Sequence, residues 1–106
     1  MEALSVADSD DIIHQPLRLK IMAALSAEKG QPLDFPRLKT ITKATDGNLG
    51  SHLATLEKAG YVVIEKDFVG KRPRTQAKLT PQGRKAFRAH VDYLRSVVEA
   101  AEDEGG

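Results

Sequence analysis

Apolar residues near the start of the chain recur at helical spacing. Four of them stand four residues apart, which places them on one face of a helix: Ile13, Leu17, Ile21 and Leu25. The pattern predicts a first helix from about Asp8 to Ala27, ended by Gly30. Because a proline inside a helix removes a backbone donor, Pro16 leaves a second possibility open. In that case the helix begins near residues 14–16, after a separate turn.

A short segment and a second helix follow. Residues 32–34, Pro-Leu-Asp, are typical of an extended stub. Pro36 fits the first turn of a helix, where its missing N–H leaves no bond unmade. We expect Leu38 and Ile41 to be the buried residues of this helix.

A third helix is predicted from about residue 45 to Ala59, with Thr45 or Asp46 as its N-terminal cap and Gly60 as its stop. Three leucines share its inward face: Leu49, Leu53 and Leu56. Small and hydrogen-bonding residues lie opposite them, with His52 on the flank: Gly47, Asn48, Ser51, Thr55 and Lys58. An ordinary surface helix would carry better helix formers there, so this face favours close contact with a partner.

The last third of the chain predicts a hairpin and a final helix. Residues 61–64 and 75–79 are predicted strands, and the Gly- and Pro-containing segment 70–74 is the turn between them. Thr80 and Pro81 are typical of a helix start, and this helix should run to about Ala101. The expected fold is a single domain over residues 1–106. It is mainly α with a small β-hairpin, a winged helix-turn-helix in the order helix, stub, helix, helix, hairpin, helix.

Charge is unevenly distributed, although the formal net charge is only +1. Eight of the fifteen acids lie in residues 1–11 and 99–106, which hold no base. Between those ends, sixteen bases therefore face seven acids. Residues 66–88 alone carry eight bases and one acid, Asp67. A segregated basic stretch suits a polyanionic partner, although an ordinary solvated face would look the same on charge alone.

These segments together resemble the winged-helix transcriptional regulators related to the MarR and ArsR repressors, and above all a compact, single-domain subgroup of them. The similarity covers about residues 12–98. The matching segments are His14–Arg18 with Ile21–Leu25, Asp46–Leu49, Ser51–Leu53, Leu56–Tyr61, the basic hairpin and Leu79–Arg84. The resemblance implies a sequence-specific regulator of transcription that binds double-stranded DNA.

The resemblance also assigns roles to the predicted surface. A recognition helix of about residues 45–59 would read bases in the major groove, and a basic wing of about residues 68–75 would grip the backbone or minor groove. The candidate DNA contacts are Asn48, Ser51, His52, Thr55, Lys58, Lys71, Arg72 and Arg74. The alternative is a winged-helix module that binds other proteins within a larger complex; exposed apolar residues on this surface would favour it.

The final helix carries a heptad pattern. Its apolar residues are spaced four, three, four and three apart: Phe87, Val91, Leu94, Val98 and Ala101. Phe87 and Val91 could pack on the domain's own core, but a domain this small is not expected to cover Leu94 and Val98. We therefore expect a homodimer joined through a helix of about residues 81–101. The predicted dimerisation residues are Val91, Leu94, Val98 and Ala101.

Other chemistry has little support in the sequence. The absence of cysteine excludes disulfides and thiolate metal sites. Apart from the ordinary neighbours His90–Asp92 and Asp10 or Asp11 with His14, no carboxylate or second histidine stands at metal-ligand spacing from the three histidines. A metal site at a dimer interface is therefore not favoured. No nucleophilic triad or phosphate-binding glycine motif is present, so we expect neither an enzyme nor a cofactor. The acidic N-terminus and the lack of a long apolar run predict a cytoplasmic protein without a membrane partner. An unidentified small-molecule effector stays open.

Overall fold

The structure, a computed structural model, describes residues 10–105 of the chain. Helix α1 spans Pro16–Ala27, and residues 11–13 form a turn before it. The side chain of Gln15 caps α1 by accepting from the Arg18 amide at 2.8 Å. The later start near residues 14–16 is thus confirmed, and a helix through residues 10–15 is wrong because Pro16 occupies the first turn. The predicted start at Asp8 lies outside the described residues.

Strand β1, Leu33–Asp34, leads directly into helix α2, Phe35–Thr42. Asp34 caps this helix by accepting from the Arg37 amide at 2.8 Å. Leu38 is buried as predicted, but the prediction for Ile41 is wrong because its side chain is 42% exposed. The inward face is shared by Leu38 and Thr42, and Ile41 is turned about 100° away from Thr42.

Helix α3, Asp46–Lys58, has the predicted capping and burial. The Thr45 hydroxyl accepts from the Asn48 amide at 3.2 Å, which satisfies one of the free N–H groups of the first turn. The three leucines that were expected to face inward are buried: Leu49, Leu53 and Leu56. Gly60 follows the helix with φ +84°, a conformation that glycine adopts without strain. This arrangement turns the opposite face of α3 outward.

The hairpin is longer than predicted. Strands β2, Val62–Val69, and β3, Arg72–Leu79, pair antiparallel, and β1 adds to the other edge of β3 in the order β1-β3-β2. The turn is only Gly70-Lys71, with φ +65° at the glycine. The predicted turn over 70–74 is therefore wrong at residues 72–74, which lie in β3. Pro73 is tolerated because β1 pairs only with residues 76 and 77, so β3 has a single neighbouring strand at Pro73.

Helix α4 spans Pro81–Gly105, four residues beyond the predicted end. Its start is fixed to the end of α3: the Thr80 hydroxyl donates to the Gly60 carbonyl at 2.6 Å, and the Thr80 amide donates to the Tyr61 carbonyl at 3.1 Å. A Cβ on Gly83 would lie 2.0 Å from that same Tyr61 oxygen. Only glycine permits this close approach, so the Thr80-to-Gly83 segment sets the angle at which α4 leaves the domain.

The core lies between α1, α2, α3 and the base of the sheet. Helix α1 is its centre, because it packs against α2, α3, α4 and β3. The buried apolar residues are Ile13, Ile21, Met22, Leu25, Leu33, Leu38, Leu49, Leu53, Leu56, Val62, Ala77 and Leu79. Within residues 10–105, no helix combines the length and apolarity that crossing a bilayer requires. The mainly helical fold with a small sheet matches the fold class expected from the sequence.

Candidate nucleic-acid interface

The outward face of α3 is polar and open. Asn48, Ser51 and Lys58 are exposed, and Thr55 is half-buried. The Thr55 hydroxyl donates to the Ser51 carbonyl at 3.3 Å, a bond within the helix that a base or phosphate can replace or share. The structure therefore brings four of the five predicted contacts of this helix together on one face. That these residues touch DNA stays a prediction.

Two glycines of α3 have no structural explanation within the domain. A Cβ added at Gly47 or Gly50 would meet no atom within 4 Å, and neither residue has a positive φ. Glycine weakens a helix by roughly 1 kcal/mol relative to alanine at interior positions. Neither packing nor backbone conformation within the domain therefore requires these glycines.

His52 lies on the flank of α3 and faces α1. Its Nδ1 is 3.0 Å from Nη1 of Arg18, whose Nε also donates to the Ile12 carbonyl. A guanidinium only donates, so Nδ1 of His52 must accept, and the neutral ring carries its proton on Nε2. His52 therefore braces α3 against α1. A base contact by its remaining N–H is a prediction that this geometry still permits.

The three predicted basic residues of the wing differ in their surroundings. Lys71 lies in the two-residue turn and Arg72 beside it, and both are exposed. Arg74 instead forms a two-pronged ion pair with Asp67 on β2, at 2.9 and 2.6 Å. The hydrogen bonds from Arg74 lower the pKa of Asp67. Lys71 and Arg72 therefore present their charge to solvent, whereas Arg74 joins the two strands of the wing.

A groove between α3 and the wing contains Lys66, a base that was not among the predicted DNA contacts. Lys66 lines it together with Gly50, Ala54 and Glu57 of α3 and with Ile64 and Thr75 of the sheet. Lys66 was missed because the predicted strand ended at residue 64. Extending the alternation by one step places Lys66 on the same face as Ile64, which packs against the core. The groove thus holds one base, Lys66, and one acid, Glu57, beside the outward face of α3.

An ion pair joins the two helices that precede the wing. Nζ of Lys39 on α2 lies 2.8 Å from Oδ1 of Asp46 at the start of α3. Both side chains are largely exposed, so the pair adds little to stability. Its electrostatic effect is more relevant, because Lys39 offsets the one carboxylate in the first turn of α3.

Comparison with known proteins agrees with this geometry. Residues 17–98 match the model of a family described as a winged helix DNA-binding domain. The chain belongs to this family. An uncharacterised protein of Methanocaldococcus jannaschii is 36% identical to this winged-helix protein over 80 residues, which are 76% of this chain and 85% of that protein.

Solved structures extend the similarity to whole regulators. A transcriptional regulator homologue from Pyrococcus horikoshii superposes with a TM-score of 0.82 at 30% identity, over 95% of this chain and 98% of that one. A protein of Enterococcus faecalis assigned to the MarR family of regulators superposes with a TM-score of 0.69 at 24% identity, over 99% of this chain and 89% of that one. NadR in complex with 4-hydroxyphenylacetate gives 0.66 at 28% identity, over 97% and 67%. The resemblance to MarR and ArsR regulators is confirmed, and the family is one of DNA-binding domains and not of enzymes.

A cluster of polar and aromatic side chains joins the turn before α1 to α4 of the winged-helix protein. His90 on α4 is 1% exposed; its Nδ1 accepts from the Asp10 amide at 3.3 Å, and its Nε2 lies 3.3 Å from Nδ1 of His14. The Tyr61 hydroxyl donates to Oδ2 of Asp10 at 2.7 Å. Tyr93 packs against both imidazole rings. Sequence spacing gave no sign of this cluster, because residues 76 positions apart meet in it.

The environment of this cluster shifts two pKa values. Burial lowers the pKa of His90, and the nearby His14 lowers it further, against a smaller opposing effect of Asp10. Burial raises the pKa of Tyr61 to about 12, helped by its hydrogen bond to Asp10. Because Nδ1 of His90 accepts from an amide, its proton lies on Nε2 and points at His14. Among the described residues, no group of three or more His, Asp or Glu side chains could hold a metal.

The distal half of α4 leaves the winged-helix domain. Phe87 packs against the core, as one interpretation of the heptad pattern expected. Val91 and Leu94 are half-buried, Val98 is 54% exposed, and Ala101 is exposed. A shallow groove follows this stripe, flanked by Arg95, Glu99 and Glu102. The predicted dimerisation residues therefore lie on one surface that the domain covers in part at Val91 and Leu94 and leaves exposed at Val98 and Ala101.

Proposed function

We propose that this winged-helix DNA-binding protein is a homodimeric transcription regulator that recognises a two-fold-related site in double-stranded DNA. In this proposal α3 enters the major groove and the wing lies on the backbone or in the minor groove. The observation that carries it is the outward face of α3, which is polar and contains Gly47, a glycine that nothing within the domain explains. Asn48, Ser51 and Thr55 supply the donors and acceptors that base edges require.

Homodimerisation is supported by the uncovered apolar stripe on α4. Val98 is 54% exposed, and Val97 beside it is 48% exposed. A two-stranded coiled-coil seam would bury the 91, 94, 98 and 101 positions of both copies. A two-fold dimer presents two copies of α3, ideally about 34 Å apart, and so matches half-sites one DNA turn apart.

Two further expectations rest on the relatives alone. NadR has been solved with 4-hydroxyphenylacetate, so an unidentified small-molecule effector is a reasonable ligand for a space between the dimer helices. The expected cytoplasmic location is likewise a proposal, and it rests on the DNA-binding family.

Selection of bound sequences from a random DNA library tests the proposal. We expect a pseudo-palindromic site whose half-sites are separated by about 10 base pairs. Binding should weaken steeply with salt, because each neutralised phosphate releases roughly one counterion. Enrichment of no sequence, or of a site without two-fold symmetry that a single copy occupies, would contradict it.

A protein-binding module is the second candidate function, and one observation favours it. Phe68 and Val69, near the tip of the wing, are 70% and 56% exposed. Exposed apolar residues at this position would suit a protein partner. A module of this kind would bind random DNA weakly and without a measurable salt slope, so the same titration separates the two functions.

A further inference from the structure

Phe68 is the most exposed large apolar residue among those described, at 70%. A single exposed apolar side chain needs no explanation in itself. Phe68, however, is not on a loop. It lies within β2 and pairs with Pro73 of β3, two rigid residues that face each other at the end of a two-stranded arm.

The strand register determines which way Phe68 faces. Alternate residues of a strand share a face, so Phe68 lies on the same side as Val62, Ile64 and Lys66. Val62 is buried in the core, and Ile64 and Lys66 line the groove beside α3. Phe68 therefore continues the α3-facing side of the sheet past the end of the domain. Val69 faces the opposite way, with Arg72.

The arm has a length that matters for DNA. Phe68 lies four residues beyond Ile64, which is about 13 Å of extended strand. When a helix occupies the major groove, the neighbouring minor groove lies about half a helical turn away, or roughly 17 Å. The Asp67–Arg74 ion pair on the other face of the hairpin braces the arm just before Phe68. The ring is therefore held at a fixed distance from α3.

The charges around Phe68 point to one kind of partner. Lys66 precedes it on the same face, and Lys71 follows it in the turn, whereas Arg72 lies on the opposite face beside the turn. Cations that flank a projecting apolar ring match a groove with phosphate on both sides and stacked bases between them. Apolar side chains that enter the minor groove in this way partly separate a base step and bend the duplex.

We propose that Phe68 is a wedge that enters the minor groove next to the major groove occupied by α3. This inference rests on the proposed function and adds a contact that reads the deformability of the DNA. The step beneath the ring should then be an easily unstacked pyrimidine–purine step. A protein surface is the other class of partner that Phe68 could meet, and the experiment separates the two.

The test uses the full chain and its selected DNA site. Phe68→Ala is compared with Val69→Ala, which removes an exposed apolar side chain of the same strand from the opposite face. We expect Phe68→Ala to weaken binding by roughly tenfold without changing the salt slope, because no charge is lost. Val69→Ala should stay within about twofold of the parent protein. Both variants should keep the parent melting temperature, since neither side chain is buried.

A base analogue gives the second readout. 2-Aminopurine is placed in the DNA at the step beneath the wing. Binding of the parent protein should raise the fluorescence of this base, and Phe68→Ala should abolish the rise. Phe68→Trp should retain it. The wedge is refuted if Phe68→Ala keeps the affinity and the fluorescence rise, or if Val69→Ala loses as much affinity as Phe68→Ala. DNA binding by the parent would still support the proposed function in either case, whereas a parent that binds no DNA would overturn both.

Discussion

The base and the tip of the β2–β3 hairpin carry similar residues in opposite surroundings. At the base, Val62 and Ala77 are 2% and 1% exposed, whereas Phe68 and Val69 near the tip are 70% and 56% exposed. Both ends follow the same alternation and pair in the same register. The difference is that α1 and α3 cover the base and nothing in the domain covers the tip. Folding thus explains the apolar residues at the base, but not those at the tip.

Helix α4 shows the same contrast along its length. Its proximal half is anchored by Gly83, Phe87 and the buried His90, while its distal half exposes Val97 and Val98. Burying an apolar side chain of this size contributes about 1.5–3 kcal/mol, so each exposed one leaves stabilisation unused. Among the described residues, the tip of the wing and the distal part of α4 therefore hold the four most exposed large apolar side chains, which leaves them free for a partner.

The largest expected effect comes from placing charge on the distal half of α4. Replacing Leu94 and Val98 with aspartate would put four carboxylates into the seam of a dimer, at several kcal/mol for each unpaired ion. We expect a folded monomer that has lost tight DNA binding, measured by sedimentation and by circular dichroism. A parent protein that is monomeric at micromolar concentration, or a double variant that still dimerises, would show that α4 is not the seam.

The contribution of the buried apolar residues to stability is tested by Leu53→Ala. Leu53 is 4% exposed on the inward face of α3, and its truncation should cost about 2–5 kcal/mol of unfolding free energy. Val69→Ala is the matched control and should cost well under 1 kcal/mol, because its side chain has no core contact. Urea titration of both variants gives the two values. Equal losses would mean that the tip of the wing is not the free surface that the structure indicates.

The basic residues of the wing differ in their surroundings, since Lys71 and Arg72 are exposed and Arg74 is paired with Asp67. Removing the exposed charges tests whether the tip of the wing contacts DNA. Replacing Lys71 and Arg72 with alanine removes the two exposed bases at the tip, and the salt dependence of DNA binding should become shallower by roughly one to two units. Lys20→Ala on α1 removes an exposed charge away from the wing and should leave the slope unchanged. A slope that the double substitution does not alter would remove the wing tip from the interface.

The pH dependence of stability tests the role of His90, which is buried in the proximal half of α4. Because the pKa of His90 is lowered in the folded state, the unfolded chain binds its proton more readily. Neutral His90 therefore contributes fully to the free energy of unfolding above its ordinary pKa of about 6.5. That contribution is lost as the pH falls through the lowered pKa that His90 has in the folded state. The urea concentration at the unfolding midpoint should therefore decrease as the pH is lowered from about 7.5 to about 5.5. His90→Gln should be less stable at neutral pH but should flatten this dependence; an equally steep fall would place the titrating group elsewhere.

The sequence predicted the regular parts of the molecule well, and physical reasons account for what it missed. Three kinds of local signal are confirmed. They are the leucine spacing of α3, the Thr45 cap, and the prolines at the starts of α2 and α4, Pro36 and Pro81. The hairpin was predicted too short because Gly70 and Pro73 suggested one continuous turn. Pro73 is compatible with β3 only because β1 is two residues long, which no local pattern reveals.

The candidate site was predictable in part. The outward face of α3 follows from helical periodicity, and the structure confirms that its polar residues lie together. The pairing of Arg74 with Asp67, the position of Lys66 beside α3, and the contact of His14 with His90 all depend on long-range register or packing. Sequence spacing alone cannot supply such contacts, so wing residues that looked equivalent in the sequence have different roles in the structure.

The smallest expected effect separates folding from binding on α3 itself. Gly47→Ala adds a methyl group where no atom lies within 4 Å, so the fold should accept it without strain. Alanine is the better helix former, and the unfolding free energy should rise by up to about 0.5 kcal/mol, because Gly47 lies in the first turn and not in the helix interior. If DNA approaches the helix closely at this position, the same methyl group will weaken specific binding several-fold while leaving weak, salt-dependent binding to random DNA intact. Thermal unfolding and competition binding measure the two effects. A variant that is more stable and binds its site as tightly as the parent would show that Gly47 is not at the protein–DNA contact.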